Sequence, residues 1–298
     1  MRVGARVIAD AALLGQIERD RSLEQLINVA TLPGVADIVV GLPDMHEGYG
    51  FPVGGVAATR VPDGVISPGG IGFDINCGVR LLGTSLSAHD VAPRMTALVH
   101  ELSRSIPSGF GRHGRLALAD DELDRVLEQG CAHLVHHLGL GREEDLAHIE
   151  SGGCLAEARA DCVSDRAKAR GRDQLGTLGG GNHFLEVQRV DSIYDAEAAT
   201  ALGLWEGQLV VLLHTGSRGL GHQVCTDHVR IMDEALARHD IRLPDRQLAC
   251  APLSSLEGKT TSPRCARRRT SRGPIASCSR TGCARWLRKC SGRTRARA

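Results

Sequence analysis

The stretch from Leu42 to Leu82 constrains this chain more than any other. It reads LPDMHEGYGFPVGG, then VAATRVPDGV, then ISPGGIGFDINCGVRLL, with glycines at 48, 50, 54, 55, 64, 69, 70, 72 and 78 and one more at 41. Glycine at that density weakens helix and strand alike, and belongs where backbone turns tightly or approaches a ligand closely. Among these glycines stand Asp44, His46, Glu47, Asp74 and Cys77, each able to bind a metal or move a proton. Asp74-Ile75-Asn76-Cys77 is the sharpest part. A carboxylate and a thiol three residues apart, on a turn after an apolar run, can converge on one cation. The same spacing also fits a buried cysteine beside a turn-forming aspartate, so taken alone it leaves both readings open.

A chain of 298 residues can hold one large domain or two ordinary ones around a real core. Its aromatic fraction is 3%, so that core must rest on Leu, Val, Ile and Ala. No apolar run approaches the ~18 residues of a membrane span, and the N-terminus lacks a signal-peptide core. The expectation is a cytoplasmic protein with reduced thiols and no membrane partner. The net charge of +1 conceals a division. Of 36 Lys and Arg, 12 lie in residues 260–298, which hold no Asp or Glu. The first 259 residues therefore carry 24 basic and 35 acidic side chains, a net −11.

Taken in order, Ala12 to Ala30 has helical spacing, with Gly34 after it, and Asp37 to Val40 reads as a short buried strand. Val79 to Ser85 reads as a strand, Val91 to Ser105 as a helix, and Ser105 to Gly114 as a polar loop that fits a phosphate flap or a connector. Asp120 to Leu138 is amphipathic. Its His133, His136 and His137 are expected on the helix surface and edge, with no carboxylate frame for a metal. Residues 142–170 read as charged and helical, and Cys154 and Cys162, eight apart, as small buried hydrophobes.

Two later stretches carry chemistry. In LGTLGGGNHFLEV, three glycines run into Asn182 and His183, with Glu186 beyond. Outward-facing amides of a glycine run suit an anion, and the adjacent histidine can bind a metal; a tight turn with a buried histidine fits equally. Leu209 to Leu213 reads as a buried strand delivering His214, followed by TGSRGLGH. Small residues and Arg218 after a strand end suit phosphate, which guanidinium pairs bidentately. A helix is expected from His222 to Ile241, with His228 and His239 along it as bystanders.

Together DMHEGYGFPVGG, SPGGIGFDINCGVRLL, GGGNHFLEV and HTGSRGLGHQV, with LACAPLSSLEG at 248–258, resemble the RtcB family of RNA ligases over roughly residues 1–259. The resemblance implies an α+β, mixed-sheet fold with its C-terminal part missing, as a catalytic core over 1–259. It implies an enzyme that joins RNA 2′,3′-cyclic phosphate or 3′-phosphate ends to 5′-hydroxyl ends, using GTP and two Mn²⁺ ions through a guanylylated histidine. The partners it implies are tRNA halves or broken RNA and an archease-type activator. By the same resemblance Asp74 and Cys77 are catalytic metal ligands with Cys77 bridging two ions, and His183 and His214 are metal-binding histidines. Asn182, His183, Phe184, Leu185 and Glu186 contact the guanine nucleotide, and Arg218 holds phosphate or RNA. By ligand softness alone a Cys/His/Asp set suggests zinc.

The chain departs from the family near Lys259. The family carries GMP on a histidine in a later His-Gly-Ala-Gly-Arg setting, and no histidine follows His239 here. The tail, TSPRCARRRTSRGPIASCSRTGCARWLRKCSGRTRARA, is poor in large apolar residues and reads as an out-of-frame, disordered extension of a GC-rich gene. Its Cys265, Cys278, Cys283 and Cys290 form no CxxC pair, and its charge suits nonspecific binding to phosphates. The expectation is a chain without ligase activity. Its alternatives are a metal-dependent phosphodiesterase that opens the cyclic phosphate, and a non-catalytic RNA- or metal-binding fragment.

Overall fold

The computed structural model describes residues 1–75, 77–109, 114, 116, 118–154, 158–259 and 261. Part of the expected Ser105–Gly114 loop, and the basic tail apart from Thr261, lie outside the described residues. The elements run β1 (Gly4–Val7), α1 (Ala11–Ile17), α2 (Ser22–Val29), β2 (Val35–His46), β3 (Val53–Thr59), β4 (Val65–Ile66), β5 (Gly78–Ser87), α3 (Ala88–Val91), α4 (Met95–Ser105), α5 (Asp120–His136), α6 (Glu143–Ala147), α7 (Asp165–Arg172), β6 (Phe184–Arg189), α8 (Ala196–Ala201), β7 (Gln208–Thr215), α9 (Arg218–Arg238) and β8 (Ala251–Pro252). The class is α+β, as expected, and one sheet is mixed. No helix among the described residues is long and apolar enough to cross a membrane.

The chain groups into two compact units. The first comprises Met1–Ile75, Asp161–Ala167 and the described chain from Gly221. Here β1 pairs parallel with β2, and β2 antiparallel with β3, while β4 pairs with β8. Leu26 and Val29 of α2 pack on Val35, Val39 and Met45 of β2, with Leu248 and Cys250 closing the cluster. Burial pushes the Cys250 thiol up to about 12, so it acts as a small apolar filler. The single helix expected over 12–30 is two. Asp20 breaks it: one carboxylate oxygen accepts from the Ser22 amide (2.8 Å) and the other from the Glu47 amide (2.8 Å). A short acidic side chain that bonds nearby backbone prefers a helix end to a helix interior. The helix expected from His222 instead begins at Arg218 and ends at Arg238.

The second unit lies within Asn76–Ala160 and Lys168–Leu220. Its sheet is antiparallel with β7 central, in the order β5-β7-β6. One face carries Leu82, Leu185, Val187, Leu209, Val211 and Leu213 against Leu98, Leu102 and Ile106 on and after α4. The continuous apolar run of β7 thus marks a central strand. Helix α5 bends at Gly130 (φ 61°, ψ −138°), and this corrects the surface placement of one histidine, His133, whereas His136 and His137 are exposed as expected. His133 is 3% exposed; its Nε2 meets the Glu122 carboxylate, and its Nδ1 lies 3.2 Å from Gln129 Oε1. Eleven residues share a helix face but lie about 16 Å apart on a straight helix, so the bend is what brings Glu122 to His133. His136 Nε2 lies 2.6 Å from Glu143. The charged stretch after it is broken into short pieces rather than one helix. Cys154 and Cys162 are half-buried, not buried: Cys154 uses its thiol to bond the Glu128 carbonyl (3.1 Å), and Cys162 bonds Asp161.

Candidate metal centre

Adjacent strands of the second sheet bring their chemistry to one end. Cys77 directly precedes β5, His183 directly precedes β6, and His214 is the penultimate residue of β7. The register places Val79 and Phe184 on either side of His214. Side chains alternate along a strand and paired residues share a face, so Cys77, two before Val79, falls on the His214 face. That face is opposite the α4 core, and on it Val79 and Leu81 are 58% and 44% exposed. The site is therefore a consequence of strand order: three segments far apart in sequence end side by side.

Cys77 Sγ lies 2.9 Å from His214 Nε2 and 3.5 Å from His183 Nε2. Two donors bound at about 2.0–2.3 Å to one cation stand roughly 3–3.6 Å apart, so these separations fit shared coordination. The imidazoles of His183 and His214 are 5.7 Å apart between centroids, at 59°. Ligand atoms of Asp74, Cys77 and His183 lie within 4.8 Å of one another. Cys77 is common to that trio and to the His214 contact. A carboxylate, a thiol and two imidazoles are a set that binds divalent transition metals.

The surroundings hold these groups in place. The Phe184 ring meets the His214 ring edge-on, at 5.3 Å and 78°. Arg218 Nη1 lies 3.3 Å from His183 Nδ1, behind the nitrogen that faces Cys77. Gly179 makes room for this pair: its φ is +105°, and a Cβ there would overlap both the Arg218 guanidinium and the His183 ring. The glycine run is strapped down on both sides, since the Leu178 amide donates to the Pro107 carbonyl (2.8 Å), and the Thr215 hydroxyl donates to the Leu178 carbonyl (2.9 Å). Arg218 itself has a positive φ of 54°, a conformation that non-glycine residues hold only where neighbours enforce it. The Gly219 amide, donating to Gln174 Oε1 at 2.8 Å, is one such neighbour.

The other expected nucleotide residues spread along the same segment. Asn182 is exposed in the turn after the glycines and Glu186 is exposed on β6, whereas the Leu185 side chain packs against the core. Asp44, His46 and Glu47 fall elsewhere, at the end of β2 in the first unit. The part Gly179 plays was not foreseen from the sequence; its signal was the triple glycine itself.

This is an α+β fold in which cysteine, histidine and aspartate side chains form a group that could hold a metal ion. The chain belongs to the RtcB family: the family model described as tRNA-splicing ligase RtcB matches residues 25–264. Among curated relatives, the tRNA-splicing ligase RtcB of Archaeoglobus fulgidus is 51% identical over 259 residues, 87% of this chain and 53% of that protein. The tRNA-splicing ligase RtcB of Thermococcus kodakarensis is 52% identical over 259 residues, 87% and 54% of the two chains. The RNA-splicing ligase RtcB of Mycobacterium tuberculosis is 53% identical over 238 residues, 79% and 55%. The chain spans about half the length of the curated relatives it matches.

Proposed function

We propose that this chain carries the manganese centre of an RNA ligase that joins 2′,3′-cyclic phosphate or 3′-phosphate ends to 5′-hydroxyl ends with GTP. The observation behind this reading is the convergence of His183 and His214 on Cys77 in a chain of the RtcB family. Asp74, Cys77, His183 and His214 would hold the metal in this reading, with Cys77 common to both histidine contacts. Bound metal neutralises phosphate charge and orients an in-line displacement. Arg218 adds a guanidinium for the terminal phosphate, and Asn182 to Glu186 line the guanine nucleotide. Thiolate ligation needs Cys77 reduced, as thiols are in a cytoplasm. The RNA would be tRNA halves or broken RNA, with an archease-type activator as partner.

Within the same proposal the covalent step is absent from this polypeptide on its own. No histidine follows His239 among its 298 residues, and a missing nucleophile removes a covalent step outright. Residues 1–259 are proposed as the catalytic-core portion and 260–298 as an out-of-frame extension.

Labelling with α-labelled GTP and Mn²⁺, beside a His183→Ala variant, tests the covalent step, and titration of Mn²⁺ by electron paramagnetic resonance tests the site. The expected result is no protein-bound label, together with manganese binding that Cys77→Ser and His214→Ala each weaken at least about tenfold. Stable label on the wild-type chain would place guanylate on a histidine at or before 239 and overturn the inactivity. Manganese binding indifferent to both substitutions would overturn the site. Incubation of cyclic-phosphate RNA without GTP separates a surviving phosphodiesterase from a fragment that only binds.

A further inference from the structure

Aromatic residues are scarce here, with four Phe, two Tyr and two Trp in the whole chain. Phe51 is used in the ordinary way and packs against the first unit's core. Tyr49 and Phe73 are not. Neither they nor His222 belong to the core clusters of the described residues, yet the three rings meet one another within the first unit. Tyr49 touches Phe73 edge-on, with centroids 4.8 Å apart at 87°, and Phe73 meets His222 at 4.8 Å and 39°. Tyr49 and Phe73 are half-buried and His222 is exposed. Nothing stands within 4 Å of where a Cβ on Gly72 (φ +81°) would lie, so the backbone beside Phe73 is open.

This is a ladder of rings from a half-buried base to an exposed top, assembled by two glycine-rich motifs and the start of a helix. An edge-to-face pair holds Phe73 steady, since ring quadrupoles favour that geometry by about 0.5–1.5 kcal/mol. Burial pushes the Tyr49 phenol up. The position matters as much as the shape: Phe73 immediately precedes Asp74 in the chain. Flat, exposed π-surface of this kind binds unpaired bases, which have lost their stacking neighbours; bases within a duplex still have theirs.

We propose that Phe73 and His222, braced by Tyr49, form a stacking platform for an unpaired nucleobase near the end of the RNA strand. The proposal rests on the RNA reading above and adds to it a contact with a base, separate from the metal and phosphate contacts. It accepts any base, because every base has a π-face.

Short single-stranded RNAs carrying 2-aminopurine at each of the last three positions in turn, with a dye-labelled copy for anisotropy, test this on the full chain. Wild type should bind and quench 2-aminopurine at one of these positions. His222→Ala and Phe73→Leu should each abolish that quenching and weaken binding by about tenfold, within the ~1–3 kcal/mol typical of one stacked base. His222→Phe should restore the quenching. His222 is exposed, so its variants leave the packing intact. Binding without quenching in wild type overturns the platform and spares the RNA reading. Neither signal overturns both, and quenching unchanged in both variants overturns the platform.

Discussion

A methyl group at residue 179 would occupy the space shared by the Arg218 guanidinium and the His183 imidazole. It would also force a side chain into a φ of +105°, a strain of about 1–3 kcal/mol. Gly179→Ala is therefore expected to lower thermal stability by that amount and to weaken manganese affinity about tenfold, the low end for a disturbed ligand support. The two readouts are separable by melting with and without Mn²⁺: the variant should gain less stability from the metal than wild type does. Equal gains would show that Gly179 only eases the backbone. By contrast Cys131, which burial pushes up to about 12, stays a thiol at neutral pH. Cys131→Ala should leave metal binding unchanged and cost only packing.

Two elements set the site's platform and the turn that leads to it. The β5-β7-β6 sheet is held flat against α4 by Leu98, which is 1% exposed. Leu98→Ala should cost about 2–5 kcal/mol in denaturant unfolding, with no change in Mn²⁺ stoichiometry at temperatures where the protein stays folded. In the first unit, the break between α1 and α2 holds a titratable joint. The Ser22 hydroxyl and then its amide hold the Asp20 carboxyl below its usual range; burial opposes them, and the Glu47 amide adds a smaller lowering. A depressed folded pKa contributes stability that is complete above the unfolded value, near 4, and is lost as pH falls through the folded one. Asp20→Asn should therefore destabilise at pH 7 only modestly, by less than about 1 kcal/mol for so exposed a carboxylate. The difference from wild type should close as melts are taken below pH 4; a gap unchanged down to pH 3 would sink this account.

At the scale of the molecule, charge is divided along the chain, with a net −11 before residue 260 and 12 basic side chains after it. Polyvalent cationic segments bind nucleic acid by releasing counterions, and the affinity then falls steeply with salt. RNA affinity measured against salt should show a slope several units shallower after removal of residues 262–298, with Mn²⁺ affinity unchanged. An unchanged slope would locate RNA binding within the first 261 residues.

The residue types of the candidate site could be read from the chain because their cues are local. Asp74 and Cys77 stand on one turn, three glycines precede Asn182 and His183, and an unbroken apolar strand ends in His214. The α+β class was legible for the same reason, since strand and helix periods are properties of a few neighbours. Contacts across long separations were not. Nothing in the sequence states that β7 lies between β5 and β6, yet that order alone brings Cys77 within 2.9 Å of a histidine 137 residues away. Nor does periodicity distinguish a surface histidine from His133, which a single bent glycine carries under cover beside Glu122. The break at Asp20 depends on an amide from Glu47, 27 residues on. Local chemistry chose the candidates; hydrogen bonds and packing between distant segments chose which of them meet.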